Sequence, residues 1–233
     1  MERLPEQPTT EDPVNPRPPV DPLLALEPLT SALVTIDLQR DFLSESAYGI
    51  PGTTEVLPRV FDVVRAFRAA GRPVVHIVRL YEKGGGNADL LRRGLLASGV
   101  DLVAPFTAGS ELADGLGPID APALDPELLL GGGVQEIGPL EYVIFKPRWG
   151  AFYRTPLDDF LRARGITSLV FVGCNLPNCP RAGMIEASER DYRVAAVPEA
   201  LSRTSEQGLA EVAGIGVQLL SVAELEDVLR PAT

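Results

Sequence analysis

The strongest constraint on this chain is a set of short, almost unbroken apolar runs, spaced by stretches of helical period. Residues 32–37 read ALVTID, 74–78 VVHIV, 168–172 SLVFV and 194–197 VAAV. A strand with one wet face alternates apolar and polar residues, whereas a continuous run is buried on both faces. Between the first two runs, Val56, Leu57, Val60, Phe61, Val63, Val64 and Phe67 recur near the helical period and stop before Gly71-Arg72-Pro73. Helices covering both faces of a parallel sheet produce this pattern, with right-handed crossovers. Further strands are expected over 142–145 and 217–220, and further helices over 155–164, 179–192, 205–213 and 222–229. The predicted fold class is α/β, a single three-layer α/β/α domain about a central, mostly parallel six-stranded sheet.

The domain is expected over residues 31–233. Residues 1–30 hold eight of the 22 prolines and read as an extended arm with no core of its own. A disordered tail and an arm packed on a neighbouring subunit both fit that composition. Residues 79–141 break the strand-helix rhythm, with weak helical signal over 88–97 between Gly84-Gly85-Gly86 and Gly131-Gly132-Gly133. A connection this long suggests a lid or a substrate-selecting insert.

A net charge of −11 argues against nucleic-acid binding, because nothing would offset phosphate repulsion. No apolar run reaches membrane-spanning length, and the start of the chain is unlike a secretion signal. The two cysteines, Cys174 and Cys179, form no disulfide framework, so a reducing cytoplasm is the expected compartment.

In an open parallel sheet, ligands bind beyond the carboxyl ends of the strands. Asp37 ends the first run, Lys146 follows the strand at 142–145, and Cys179 follows the run at 168–172. Singly, each has a plainer reading: a turn-forming aspartate, a solvated lysine, a small buried thiol. Together they bring an acid, a cation and a nucleophile to one rim. A helix start at Cys179 adds unpaired N–H groups and a dipole end, which would make this thiol acidic.

These residues carry a resemblance to the isochorismatase-like cysteine hydrolases, which include nicotinamidases and N-carbamoylsarcosine amidase. It spans nearly all of residues 31–233. Asp37-Leu38-Gln39-Arg40-Asp41-Phe42 matches the family's D-x-Q-x-D-F, Lys146 precedes Gly150-Ala151-Phe152, and Gly173 lies six residues before Cys179. The resemblance implies a triad with Cys179 as nucleophile, Asp37 as general base and Lys146 as charge stabiliser. It also implies a cis peptide bond at Cys174–Asn175, and an oxyanion hole formed by the backbone N–H groups of Asn175 and Cys179. It further implies a small-molecule substrate and a homo-oligomer.

The chain departs from the family in two places. Leu176 stands where many members carry a hydroxyl residue, and the stretch after the second strand, Arg79-Leu80-Tyr81-Glu82-Lys83, lacks the Asp and His residues that bind metal in nicotinamidases. One histidine, His76, makes a poor transition-metal site and reads as a core or supporting residue. Neither metal nor cofactor is expected. Gln39, Phe42, Trp149 and Phe152 are candidates for substrate contact, with Tyr153 beside them. Arg148 or Arg181 would hold a substrate carboxylate or form a structural ion pair. Cys174 reads as packing. The favoured reading is a metal-independent amidohydrolase acting on an amide, carbamoyl, ureido or lactam C–N bond through a thioester. The alternatives are isochorismate-type vinyl ether hydrolysis, against which Cys179 argues, and a non-catalytic oligomeric binding protein.

Overall fold

The computed structural model describes residues 21–230. The strands are β1 (Ser31–Ile36), β2 (Val74–Val78), β3 (Val134–Gly138), β4 (Glu141–Phe145), β5 (Ser168–Gly173), β6 (Arg193–Leu201) and β7 (Gln218–Leu219). They form one sheet in the order β3-β4-β2-β1-β5-β6-β7. Every pairing is parallel except β3 with β4. The sheet therefore has seven strands where six are expected. The added one, β3, is an antiparallel edge strand whose sequence VQEIG follows three glycines and carries no apolar run.

The helices are α1 (Thr53–Ala69), α2 (Leu90–Ala97), α3 (Pro126–Leu130), α4 (Leu157–Arg162), α5 (Cys179–Ser188), α6 (Glu206–Ala213) and α7 (Val222–Leu229). Successive residues of each central strand feed opposite layers, as strand geometry requires. On one face Leu33, Val170 and Val172 pack with Leu57, Val60, Val64 and Phe67 of α1 and Leu225 of α7. On the other, Val34, Leu169 and Phe171 pack with Leu157, Phe160 and Leu161 of α4, Met184 of α5 and Val212 of α6. The three-layer expectation is met.

α1 ends where the sequence predicts. Gly71 takes φ 63°, its N–H bonds to the carbonyl of Arg68, and the N–H of Arg72 bonds to that of Phe67, a Schellman stop. α4 and α5 are shorter than the expected 155–164 and 179–192, and Ser205 caps α6 through its hydroxyl.

Residues 79–141 are not a free lid. Leu80, Leu124, Leu129 and Ile137 pack with Val78 and Val143 at the sheet edge, and Leu102 and Leu116 join the α1 core. Residues 1–20 of the expected arm lie outside the described residues. Of the rest, Leu26 is buried in the α1 core, its N–H bonded to Gln218 at 3.0 Å, and Glu27 N–H bonds to the Ser168 hydroxyl at 3.0 Å. Among the described residues no helix is long and apolar enough to cross a membrane.

Candidate active site

Four strands deliver their first following residue to one rim. Asp37 follows β1, Arg79 follows β2, Lys146 follows β4 and Cys174 follows β5. Asp37 leaves its strand at φ 53°, a left-handed conformation that aspartate tolerates better than most side chains. Its N–H is held by the Ile77 carbonyl at 2.9 Å.

Lys146 and Asp37 form a buried ion pair, Nζ to Oδ2 at 2.8 Å, with side-chain exposures of 0% and 5%. A buried charge needs such a partner. The other oxygen, Oδ1, is buried with no hydrogen-bond partner in the described protein. It is an acceptor without a donor. Lys146 is kept in register by its own N–H, bonded to the Val78 carbonyl at 3.0 Å.

The approach to Cys179 depends on Gly173. A Cβ there would lie 2.4 Å from the carbonyl oxygen of Ile36, and the residue adopts φ 116°. β5 therefore runs hard against the end of β1 before the chain turns. The Cys174–Asn175 peptide is cis, as the resemblance implies. Asn178 precedes α5 without a side-chain cap, and Pro180 occupies the first turn, where no N–H is needed. Among the described residues, neither the Asn175 nor the Cys179 backbone N–H donates to a protein acceptor. The Asn175 side-chain oxygen is also buried without a partner.

The thiol of Cys179 is half-buried beside this group. Burial pushes its pKa up, the Asp37 carboxylate adds to that, and Lys146 and Arg79 pull the other way without reversing it. The expected acidic thiol is not what the structure gives: desolvation of a thiolate and repulsion from Asp37 outweigh the cations. A thiol raised above its ordinary value stays protonated at neutral pH. Cys174 is fully buried, and burial pushes its thiol to about 12, consistent with a packing role.

Arg79 is the residue that sequence reasoning passed over. It is 2% exposed; one guanidinium nitrogen lies 4.0 Å from the Cys179 sulfur and the other 3.4 Å from Oδ2 of Asp89. The detectable signal was its position, one residue past β2 on the rim already argued for Asp37 and Lys146.

A pocket opens over these groups. Phe42, Ile50, Tyr81, Leu91 and Trp149 wall it; Asp37, Arg79, Asn175 and Cys179 lie at its polar end, and Arg92 lines it as well. Of the four side chains named as candidates for substrate contact, Phe42 and Trp149 line this pocket.

Gln39 and Phe152 do not line the pocket. Gln39 is fully buried and spends its amide on backbone, donating to Arg79 O at 2.8 Å and Ser110 O at 2.6 Å and accepting from Arg79 N at 2.7 Å. Phe152 packs against Tyr192 and Met184 in the α5 layer. Arg181 pairs with Glu211 at 2.6 Å, and Arg148 bonds the carbonyls of Asn87 and Pro147. Neither lines the pocket, and Tyr153 does not either.

His76 is buried in the sheet, bonded to Thr35 at 2.8 Å and Glu141 at 2.9 Å. Among the described residues no three His, Cys, Asp or Glu side chains are grouped to hold a metal. The donors near Cys179 are two cations and their carboxylates, a set that does not fit a transition metal.

The Isochorismatase domain family matches residues 31–224. A probable inactive nicotinamidase of Arabidopsis thaliana is 31% identical over 206 residues, covering 85% of this chain and 96% of that protein. A ureidoacrylate amidohydrolase of Methylobacterium radiotolerans is 31% identical over 188 residues, covering 72% and 66%. Among solved structures, an isochorismatase family protein from Desulfovibrio vulgaris superposes with a TM-score of 0.74 at 31% identity, over 86% of this chain and 98% of that one. An N-carbamoylsarcosine amidase from Thermoplasma acidophilum shares the fold, with a TM-score of 0.66 at 23% identity over 84% and 98%.

Proposed function

Given that the chain belongs to the isochorismatase family, we propose that it is a cysteine amidohydrolase that cleaves a small-molecule C–N bond with Cys179, Asp37 and Lys146. The observation that carries this reading is the buried Lys146–Asp37 pair whose second carboxylate oxygen is unpartnered beside a half-buried thiol.

In the reaction, Oδ1 of Asp37 takes the thiol proton as the sulfur attacks the carbonyl carbon. The charge on the carbonyl oxygen is met by the free N–H groups of Asn175 and Cys179, a stabilisation worth about 3–4 kcal/mol per donor. The proton on Asp37 passes to the leaving nitrogen, the C–N bond breaks, and a thioester remains. Water then gives a proton to Asp37 and attacks the thioester. The acid departs and the thiol regains its proton. Lys146 keeps Asp37 in place throughout.

Relatives named for a ureido acid and an aromatic amide set the substrates to try first. Arg92, half-buried at the pocket with no acidic partner among the described residues, favours a substrate bearing a carboxylate. The test is release of ammonia or amine from amides, ureido acids and lactams by the wild type and by Cys179→Ala. Turnover retained by Cys179→Ala would exclude the covalent route. The name of the Arabidopsis relative favours a second reading, a binding protein without turnover. A silent panel together with tight binding of one of its compounds would establish that reading. Self-association belongs to the proposal as well, and light scattering tests it.

A further inference from the structure

We propose that Arg79 is a further catalytic residue, whose guanidinium holds the sulfur of Cys179 as that sulfur gives up its proton. The proposal rests on Cys179 being the reacting thiol.

The guanidinium is a rigid planar fork, so fixing one arm aims the other. One arm lies 3.4 Å from Oδ2 of Asp89, an oxygen that also receives the Tyr81 hydroxyl at 3.4 Å. The Tyr81 ring lies 5.7 Å from the guanidinium carbon. Behind it, Gln39 grips Arg79 on both sides of its backbone, through the N–H at 2.7 Å and the carbonyl at 2.8 Å. Asp89 and Tyr81 are thus positioning residues for the side chain, and Gln39 for the main chain. The free arm then points at the sulfur, 4.0 Å away.

A structural ion pair with Asp89 would need only the first arm. A neutral thiol is a weak acceptor, so the second arm gains little at rest. When the sulfur carries charge, the same contact becomes charge-assisted and strong. An interaction that strengthens as the reaction proceeds is the kind that accelerates it. Lys146 also pulls on the thiol, but its ammonium is held against Asp37 at 2.8 Å, and the side-chain nitrogen bonded to the sulfur is that of Arg79. Arg79 therefore supplies the cation whose donor is aimed at the sulfur. Its pull on the Cys179 thiol, against burial and Asp37, is in the direction this role requires.

The test is the rate at which iodoacetamide alkylates Cys179, followed by mass spectrometry across neutral to alkaline pH, with near-UV circular dichroism to establish folding. Arg79→Gln keeps an N–H donor for Asp89 and loses the charge. Its alkylation at neutral pH should fall about tenfold, with the profile moved about one unit to higher pH. Arg79→Lys should fall between Gln and wild type, since it keeps the charge but replaces the fork's two separated nitrogens by one. A folded Arg79→Gln whose profile superimposes on wild type overturns the proposal. Where Arg79→Gln does not fold, an Arg79→Lys rate equal to wild type overturns it instead. Wild-type protein whose Cys179 labels no faster than Cys174 overturns the nucleophile assignment and this proposal together. Normal labelling that ignores Arg79 overturns this proposal alone.

Discussion

Gly173→Ala separates the two demands that the turn after β5 makes on its residue. The added Cβ would lie 2.4 Å from Ile36 O, 2.8 Å from Ile36 N and 3.1 Å from Ile36 C. All three are backbone atoms of a central strand, so no flexible side chain can swing away. The collision is the overpacking case, about 1–3 kcal/mol. The backbone itself, at φ 116°, lies outside the regions open to alanine and adds about 1–3 kcal/mol. Gly71→Ala is the control: it sits at φ 63° with nothing within 4 Å of its Cβ position, so it carries only the left-handed cost of about 1–2 kcal/mol. The measurement is Tm by circular dichroism for both variants. At about 2–4 °C per kcal/mol for a domain of this size, Gly173→Ala should melt well below Gly71→Ala. It should also lose turnover, because the Cys174 N–H bond to Ile36 O and the Ser202 N–H bond to Gly173 O must shift with the strand. Equal melting temperatures for the two variants, or full activity in Gly173→Ala, would refute the argument that this contact positions the nucleophile turn.

Two further predictions concern buried polar groups. Glu141 accepts Arg68 at 2.6 and 2.8 Å and His76 at 2.9 Å; Glu141→Gln should cost about 3 kcal/mol by urea titration, since it leaves charged and polar partners unsatisfied. Burial would raise the Glu141 pKa, but bonds from His76 and Arg68 outweigh it and hold it below 4.5; its stabilisation is therefore present above pH 4.5 and lost as acid protonates it, and the acid limb of the stability curve should flatten in Glu141→Gln. Gln39→Ala removes three bonds to backbone at 2.6–2.8 Å; at about 1–3 kcal/mol per orphaned group it should lower stability by several kcal/mol and raise amide exchange around Arg79 and Ser110, and unchanged exchange would show that the clamp is dispensable.

The central strands were legible because burial on both faces leaves a continuous apolar signature. β3 was not, because an edge strand buries one side and needs only Gln135 and Ile137 inward. The packing of residues 79–141 was also hidden. Leu102, Leu116 and Leu129 are fully buried, but they are spread without a period, so each reads as an isolated leucine in a loop. Asp37, Lys146 and Cys179 could be proposed from their strand ends and from family resemblance, and the structure brings them to one rim. Arg79 has the same kind of position, and it was missed because an arginine at a strand end reads as solvated unless its burial is known. The Cys179 thiol was misjudged for the related reason. Helix start and cations are visible in sequence, whereas the depth that penalises a thiolate is a property of the packed site.

Under the proposed mechanism, that depth bears on when the sulfur would ionise. Around Cys179 stand two carboxylates, Asp37 and Asp89, and two cations, Lys146 and Arg79, paired at 2.8 and 3.4 Å. With the thiol neutral, these four charges cancel, and Arg92 is the further charge that lines the pocket. Losing its proton to bulk water would add a buried negative charge, the costly case. Handing the proton to Asp37 moves the charge without changing the sum. Sulfur should therefore ionise during attack rather than before it. The consequence is a split between two pH profiles: alkylation of Cys179 in the free protein should keep rising beyond the ordinary thiol value of 9.0, while kcat/KM should already be flat near neutrality, where Asp37 accepts the proton directly. An alkylation profile that levels off on the acid side of neutrality would mean a thiolate stored at rest, and the balance of charges argued for this pocket would be wrong.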